Sequence, residues 1–222
     1  MNYFVIAFWV LMPTLIIGGL IWAAHVERKR KESLQQLAQE LGMSFADVLS
    51  DHDQGVLIGF ALGQRGHSRK HFNAMTADSG ELRMVVFDYA YTIGGGKNKQ
   101  RHTQSVVLLT CPSLYLPAFS LAPETFLDRM AEMLGYKDID FDDDEEFSRR
   151  YLLKGPDEAA IRDYFTRERR QAFLKWPKLT IEAAGHSFIF YEARKRRPPE
   201  EAKQLMEQGF AVYSMLEQGS RL

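Results

Sequence analysis

Glycines and lysines between two apolar runs have the composition of a phosphate-binding loop. The segment Gly94-Gly95-Gly96-Lys97-Asn98-Lys99 offers backbone N–H groups and ammonium groups that could cradle a phosphate. A P-loop, however, needs an earlier glycine, a Ser or Thr after the Gly-Lys pair, and a following helix. Here Asn98 holds the Ser/Thr position, no glycine lies five residues before Gly96, and a predicted strand follows. The pattern favours a flexible hairpin tip over a nucleotide site.

The acidic segment 138–146 is the second candidate, because alternating aspartates can bind a divalent cation. Three of them have the opening spacing of a calcium loop: Asp138, Asp140 and Asp142. The sixth position of such a loop is glycine but here is Asp143, and the twelfth is glutamate but here is Arg149. This excludes an EF-hand. We predict a solvated acidic loop, neutralised by Arg149 and Arg150, with incidental divalent binding as the alternative.

Histidine and cysteine residues offer little further chemistry. His67 and His71 lie four residues apart, but no glutamate follows the first histidine as a metalloprotease helix requires. Cys111 lacks an adjacent base, since His102 lies nine positions away without a known signature. We predict a basic surface patch at the histidines and a core cysteine. We therefore predict no catalytic, cofactor-binding or metal-binding residue, and no cofactor.

Two basic runs are the remaining candidate site. We predict that they contact anionic lipid headgroups at a membrane surface, through Arg28, Lys29, Arg30, Lys31, Arg194, Lys195, Arg196 and Arg197. The alternative for the second run is a solvated linker before the last helix.

The first basic run follows 22 positions, residues 3–24, without an ionisable side chain. At about 1.5 Å of rise per residue, such a helix could cross a hydrocarbon core about 30 Å thick. We predict a transmembrane helix at 1–24 that embeds residues 3–24 in the lipid bilayer; a cleaved signal peptide is the alternative. The basic flank predicts a single-pass inner-membrane protein of a bacterial cell with residues 25–222 in the cytoplasm.

Composition limits the classes of function. The chain carries 28 basic and 29 acidic residues, which argues against a nucleic-acid binder. Its single cysteine forms no intrachain disulfide. We predict a basic amphipathic helix at 25–42 and a domain at 43–222, which is either one unit or two subdomains near 43–137 and 138–222.

Periodicity predicts an α+β fold with largely antiparallel strands and packed helices. Strong strand patterns occupy 82–92 and 101–110, with Val85, Phe87, Tyr89 and Tyr91 on one face. A second hairpin is predicted at 179–191. Weaker strands are predicted at 55–63 and 69–77, and 147–153 fits either a strand or a helix. Helices are predicted at 123–135, 156–165, 167–175 and 199–217, with Thr166 as an N-cap.

Two stretches resemble a group of uncharacterised bacterial single-pass membrane-anchored proteins. They are Phe87-Asp88-Tyr89-Ala90-Tyr91-Thr92-Ile93-Gly94-Gly95-Gly96-Lys97 and the segment from Glu146 to Thr166 that includes Lys154-Gly155-Pro156-Asp157-Glu158. The resemblance covers most of residues 40–215 and implies a membrane helix before a cytoplasmic α+β domain. It implies no activity and no site residue.

These observations favour a membrane-tethered, non-enzymatic domain that binds a protein partner or the membrane surface. The alternative is an enzyme of unrecognised type, or a small-ligand sensor, with a pocket near the hairpin 89–101. In the enzyme alternative, Asp88, His102 and an arginine would converge in one deep pocket.

Overall fold

A long N-terminal helix precedes a body built on one twisted sheet. The structure is a computed structural model that describes residues 3–124 and 136–217, with side chains from Met12 onward. Helix α1 runs without interruption from Tyr3 to Glu40. It ends where Gly42 adopts a φ of +67°, a left-handed conformation that glycine adopts without a steric penalty. The predicted amphipathic segment is therefore the second half of one continuous helix.

The prediction of a membrane span is wrong. In the part of the chain whose side chains are described, no helix is both long and apolar enough to cross a bilayer. This finding overturns the predicted transmembrane helix at 1–24 and the single-pass inner-membrane location with a cytoplasmic C-terminal domain. The side chains of residues 3–11, also predicted to lie in the bilayer, are outside the described set.

Eight strands form the sheet of the described residues, in the order β1-β2-β3-β4-β8-β7-β5-β6. Their bounds are β1 Ser44–Ala46, β2 His67–Asp78, β3 Arg83–Ile93, β4 Gln100–Thr110, β5 Leu116–Pro123, β6 Tyr151–Lys154, β7 Leu179–Gly185 and β8 Ser187–Glu192. All of the paired neighbours run antiparallel. The predicted α+β class with antiparallel strands and packed helices is confirmed.

Helices cover the two faces of the sheet unequally. Their bounds are α2 Asp51–Ile58, α3 Ala61–Gln64, α4 Glu145–Arg150, α5 Glu158–Tyr164, α6 Arg167–Phe173 and α7 Ala202–Glu217. One core joins α1 and α4–α7 to the sheet face that bears Val86, Val107 and Phe190. The second core joins α2 and α3 to the opposite face over β2, β3, β4 and β8. On that face, β7, β5 and β6 therefore receive little helical cover.

Three predicted elements differ from the observed ones. Residues 55–63 belong to α2 and α3 instead of a strand, because Ser50 caps α2 by accepting a hydrogen bond from the Asp53 amide. Pro123 is the last residue of β5 and Glu124 has 3₁₀-helical structure, while the rest of the predicted helix at 123–135 lies outside the described residues. The ambiguous segment 147–153 is divided between α4 and β6.

Candidate functional site

The two basic runs meet at one buried carboxylate, although Arg30 and Arg196 are far apart in sequence. Asp88, on β3, is only 2% exposed. Arg30 donates two hydrogen bonds to it, from Nε at 2.9 Å and from Nη2 at 2.8 Å. Arg196 donates from Nε at 3.1 Å and from Nη2 at 3.0 Å. Arg196 also binds Glu27 through Nη2 at 2.7 Å. We call these four residues, Glu27, Arg30, Asp88 and Arg196, the Asp88 cluster.

Local features of the sheet hold Asp88 in position. Ser105 lies opposite it on β4 and donates from Oγ at 3.0 Å. A register shift in β2 places Asn73 at a φ of +56°, a conformation that asparagine tolerates better than most residues, and its Nδ2 donates to Asp88 at 3.1 Å. Burial acts to raise the pKa of the Asp88 carboxyl, but hydrogen bonds and charges from Arg30 and Arg196 outweigh it and lower the pKa. The carboxylate is therefore held in its charged form.

The second basic run lies along β4 and is not a solvated linker. The Arg194 amide donates to Gln104 Oε1 at 3.0 Å, and the Arg197 amide donates to Ser105 Oγ at 3.0 Å. The Ser105 amide in turn donates to the carbonyl of Lys195 at 3.1 Å. These bonds fix the backbone that carries Arg196 over Asp88.

Most of the other basic side chains of the two runs form ion pairs with carboxylates. Lys31 pairs with Asp47 and Arg28 with Glu32, while Lys195 and Arg197 share Glu192. Lys29 is exposed. The structure thus brings the two predicted runs together, but it directs Arg30 and Arg196 inward. Headgroup contact by the eight residues stays a prediction.

One helical stripe attaches α1 to the body. Glu27, Arg30, Leu34 and Ala38 are spaced three and four residues apart and therefore share a face of the helix. Leu34 and Ala38 are buried in the core, whereas Leu41, three residues further along the chain, is 40% exposed. The sequence signal for this attachment is a helical stripe that is charged at Glu27 and Arg30 and apolar at Leu34 and Ala38. A search for apolar periodicity alone does not detect the charged half.

The preceding part of α1 does not pack on the body. Every residue from 12 to 26 is exposed. The larger apolar side chains there are Met12, Leu15, Ile16, Ile17, Leu20, Ile21 and Trp22, with exposures from 51% to 74%. We call residues 12–24 the apolar arm. Soluble monomers rarely expose so many contiguous apolar side chains, so the arm has the properties of an interaction surface.

The residues of the enzyme alternative do not converge. Asp88 pairs with Ser105 and faces the core beneath α1, whereas His102 pairs with Tyr91 and faces the opposite side of the sheet. A cavity of about 130 Å³ lies beside Tyr89, lined in part by Arg69 and His71. Both polar groups are engaged: Arg69 donates to the Gly63 carbonyl, and His71 Nδ1 accepts from the Leu49 amide.

The remaining sequence candidates have structural roles. Asp144 caps α4, and Arg170 pairs with Asp143 and Asp144, so Arg170 neutralises the acidic loop in place of the predicted Arg149 and Arg150. Arg150 instead pairs with Glu146 on its own helix.

The predicted histidine patch and cysteine make ordinary contacts. His67 contacts the Gly94 carbonyl at 2.9 Å, so it does not share a partner with His71. Cys111 is buried in the larger core, with Sγ 3.0 Å from Ser113 Oγ. No group of three or more potential metal ligands occurs among the described residues.

Comparison with known proteins defines the fold but no family. No protein-family model matches the chain, and no curated protein matches it either. A solved structure is similar: the crystal structure of the mycobacterial trehalose monomycolate transport factor A, TtfA. The TM-score is 0.61 at 8% sequence identity, over 85% of this chain and 95% of that chain. At this identity the likeness shows a shared fold alone. The resemblance to the bacterial membrane-anchored group stays a prediction.

Proposed function

We propose that this protein is a non-enzymatic binding protein that presents its apolar arm to apolar helices of a partner protein. The observation that carries this proposal is the exposure of the arm on a helix whose other half is fixed to the body. A helix that is apolar on all sides is normally enclosed by other apolar elements. Leu20, Ile21 and Trp22 are successive residues and point about 100° apart around the helix axis, so enclosure needs contacts on more than one side.

Small residues of the arm favour helices as the partner element. Nothing lies within 4 Å of the Cβ positions that Gly18 and Gly19 lack, so the helix backbone is open to close approach. Ala23 follows Gly19 at the spacing that places two small residues on one face. Together with the large side chains around them, these residues form ridges and grooves into which another helix could pack.

The Asp88 cluster gives the arm a fixed direction. Because Glu27 and Arg30 bind the body immediately after the arm, α1 leaves the sheet at a defined angle instead of hanging from a flexible linker. Preorganisation of this kind lowers the entropic cost of association.

The test compares two isoleucines of similar exposure. Ile21, in the arm, is 66% exposed, and Ile58, on α2, is 60% exposed. The tagged full chain is purified from the cells that produce it, and the size and composition of the native complex are measured. Ile21→Glu should dissociate the partner, because a carboxylate placed in an apolar interface weakens binding by roughly a hundredfold or more. Ile58→Glu should leave the complex intact. Equal loss in both variants, or a complex that survives Ile21→Glu, would contradict the proposal.

A further inference from the structure

A row of polar side chains crosses the part of the sheet that helices leave uncovered. Lys154 on β6 lies directly opposite Ser120 on β5, and Ser120 lies directly opposite Glu182 on β7. Directly opposed residues of antiparallel strands point to the same face, so the three side chains stand side by side. All three are buried, with exposures of 8%, 5% and 2%. We call these residues the polar row.

The polar row lines a cavity of about 180 Å³. At about 30 Å³ for each water molecule in the liquid, this volume accommodates roughly six water-sized groups. Phe60, Ala184 and Pro156 supply carbon walls around the polar row. At the rim of the cavity the backbones of Gly155 and Ala118 approach closely, since a Cβ on residue 155 would lie 2.3 Å from the Ala118 carbonyl oxygen. The cavity therefore suits a small molecule that is part polar and part apolar.

The two ends of the polar row differ in how many hydrogen-bond and ion-pair partners the protein gives them. Glu182 accepts hydrogen bonds from the Tyr191 hydroxyl at 2.7 Å and from the Leu62 amide at 3.1 Å. Burial raises the pKa of its carboxyl, although these hydrogen bonds oppose the rise. This end of the row is consequently a fixed wall whose carboxylate already has hydrogen-bond donors from the protein.

The Lys154 end lacks comparable partners. Among the described residues, the Ser120 hydroxyl is buried without a hydrogen-bond partner. No carboxylate of the described chain forms an ion pair with Lys154; Asp138 is close enough to sense its charge, but its Oδ1 accepts from the Ile139 and Leu153 amides. The Lys154 side chain lines the cavity and forms no ion pair with a carboxylate of the described residues, so a small anion that enters the cavity would supply the opposite charge that the protein does not.

We propose that this cavity binds a small monocarboxylic acid, with its carboxylate on the Lys154 ammonium and the Ser120 hydroxyl and its short hydrocarbon part against Phe60 and Pro156. One cation and one hydroxyl donor match a single carboxylate. A doubly charged phosphate is disfavoured, because the single charge of Lys154 would balance only one of its two negative charges. The site is separate from the apolar arm, so this inference does not depend on the proposed function.

The test measures binding of acetate, butyrate and benzoate to the purified full chain by isothermal titration calorimetry near neutral pH. At least one carboxylate should bind saturably, while butyramide and inorganic phosphate should not. Lys154→Met and Ser120→Ala should each weaken binding, the first by roughly tenfold or more, which is the value of a charge-assisted hydrogen bond. Lys178→Met, the same change at an exposed lysine, should leave the affinity unchanged.

Stability of the ligand-free protein gives an independent readout. Lys154→Met should melt at the same temperature as the wild type or higher, because it replaces a charged group that no described carboxylate pairs by an apolar one of similar length. A lower melting temperature or a failure to fold would identify Lys154 as a structural residue and overturn the proposal. Absence of binding by all three carboxylates, equal binding of butyramide, or unchanged affinity in Lys154→Met would also overturn it.

Discussion

The substitution Asp88→Asn tests how strongly the Asp88 cluster attaches α1 to the body. Asparagine keeps the size of the side chain but removes the negative charge that faces Arg30 and Arg196, whose side chains are only 11% and 20% exposed. Breaking a buried ion pair from one side costs about 3–5 kcal/mol, because the remaining charges stay buried. Since Arg196 keeps Glu27 and some solvent contact, we expect the lower end, about 3 kcal/mol of lost unfolding free energy.

Equilibrium unfolding in urea measures this loss, with Asp47→Asn as the matched control. Asp47 also pairs with a residue of the first basic run, but its side chain is 70% exposed, so its substitution should cost about 0.5 kcal/mol or less. The pKa of the Asp88 carboxyl is lowered below its ordinary value of 3.8. The stability that the charged carboxylate contributes is therefore fully present above that pH and is lost as the pH falls through the folded-state pKa. A loss below about 1 kcal/mol in Asp88→Asn, or one equal to that of the control, would refute the reasoning.

Three further substitutions test the packing around the site. The pKa of the buried Glu182 carboxyl is raised, so the unfolded chain loses this proton at a lower pH than the folded chain does. The free energy of unfolding should therefore fall as the pH rises above about 4.5. Glu182→Gln removes the titrating group and should reduce that fall in melting curves recorded at several pH values. Leu34→Ala should cost about 2–5 kcal/mol in urea unfolding, whereas Leu41→Ala, at a 40% exposed position, should be nearly neutral, and equal costs would contradict the assignment of the buried stripe. Gly155→Ala should cost about 1–3 kcal/mol because the added Cβ meets the Ala118 carbonyl, while Gly95→Ala, with nothing within 4 Å, should not; a stable Gly155→Ala protein would contradict the close packing at the rim.

The sheet could be predicted from sequence where one face is apolar. Alternation over Val85, Phe87 and Tyr89 identifies β3, and all three side chains lie in the core beneath α2 and α3. Thr166 caps α6 as predicted, since its side chain accepts a hydrogen bond from the Arg169 amide. These features are local, so a short stretch of sequence contains the information that determines them.

Two errors arose where a local pattern had more than one physical meaning. The apolar run 55–63 is too short for periodicity to separate strand from helix, and the Ser50 cap before it was the decisive signal. The run before His25 lacks charge and so resembles a membrane helix. The observed α1 shows instead an apolar arm that continues into the stripe of Glu27 and Arg30.

The candidate sites themselves were beyond a local analysis. Asp88 binds Arg30, which is 58 residues away in sequence, and Arg196, which is 108 residues away, and neither spacing belongs to a known motif. The polar row depends on a sheet order in which β5 lies between β6 and β7. Only the register of those strands brings Ser120 beside Lys154 and Glu182.

Site-specific photocrosslinking tests the central claim, that the apolar arm is the surface that binds a partner. A photoreactive amino acid replaces Ile21 in one version of the full chain and Ile58 in another, and both are irradiated in intact cells that produce the protein. We expect a discrete crosslinked product from position 21, its loss when Leu20→Glu is added, and no such product from position 58. Mass spectrometry of the crosslinked peptide should identify an apolar helix of another protein. Equal products from both positions, no product from position 21, or a product that persists with Leu20→Glu would contradict the account.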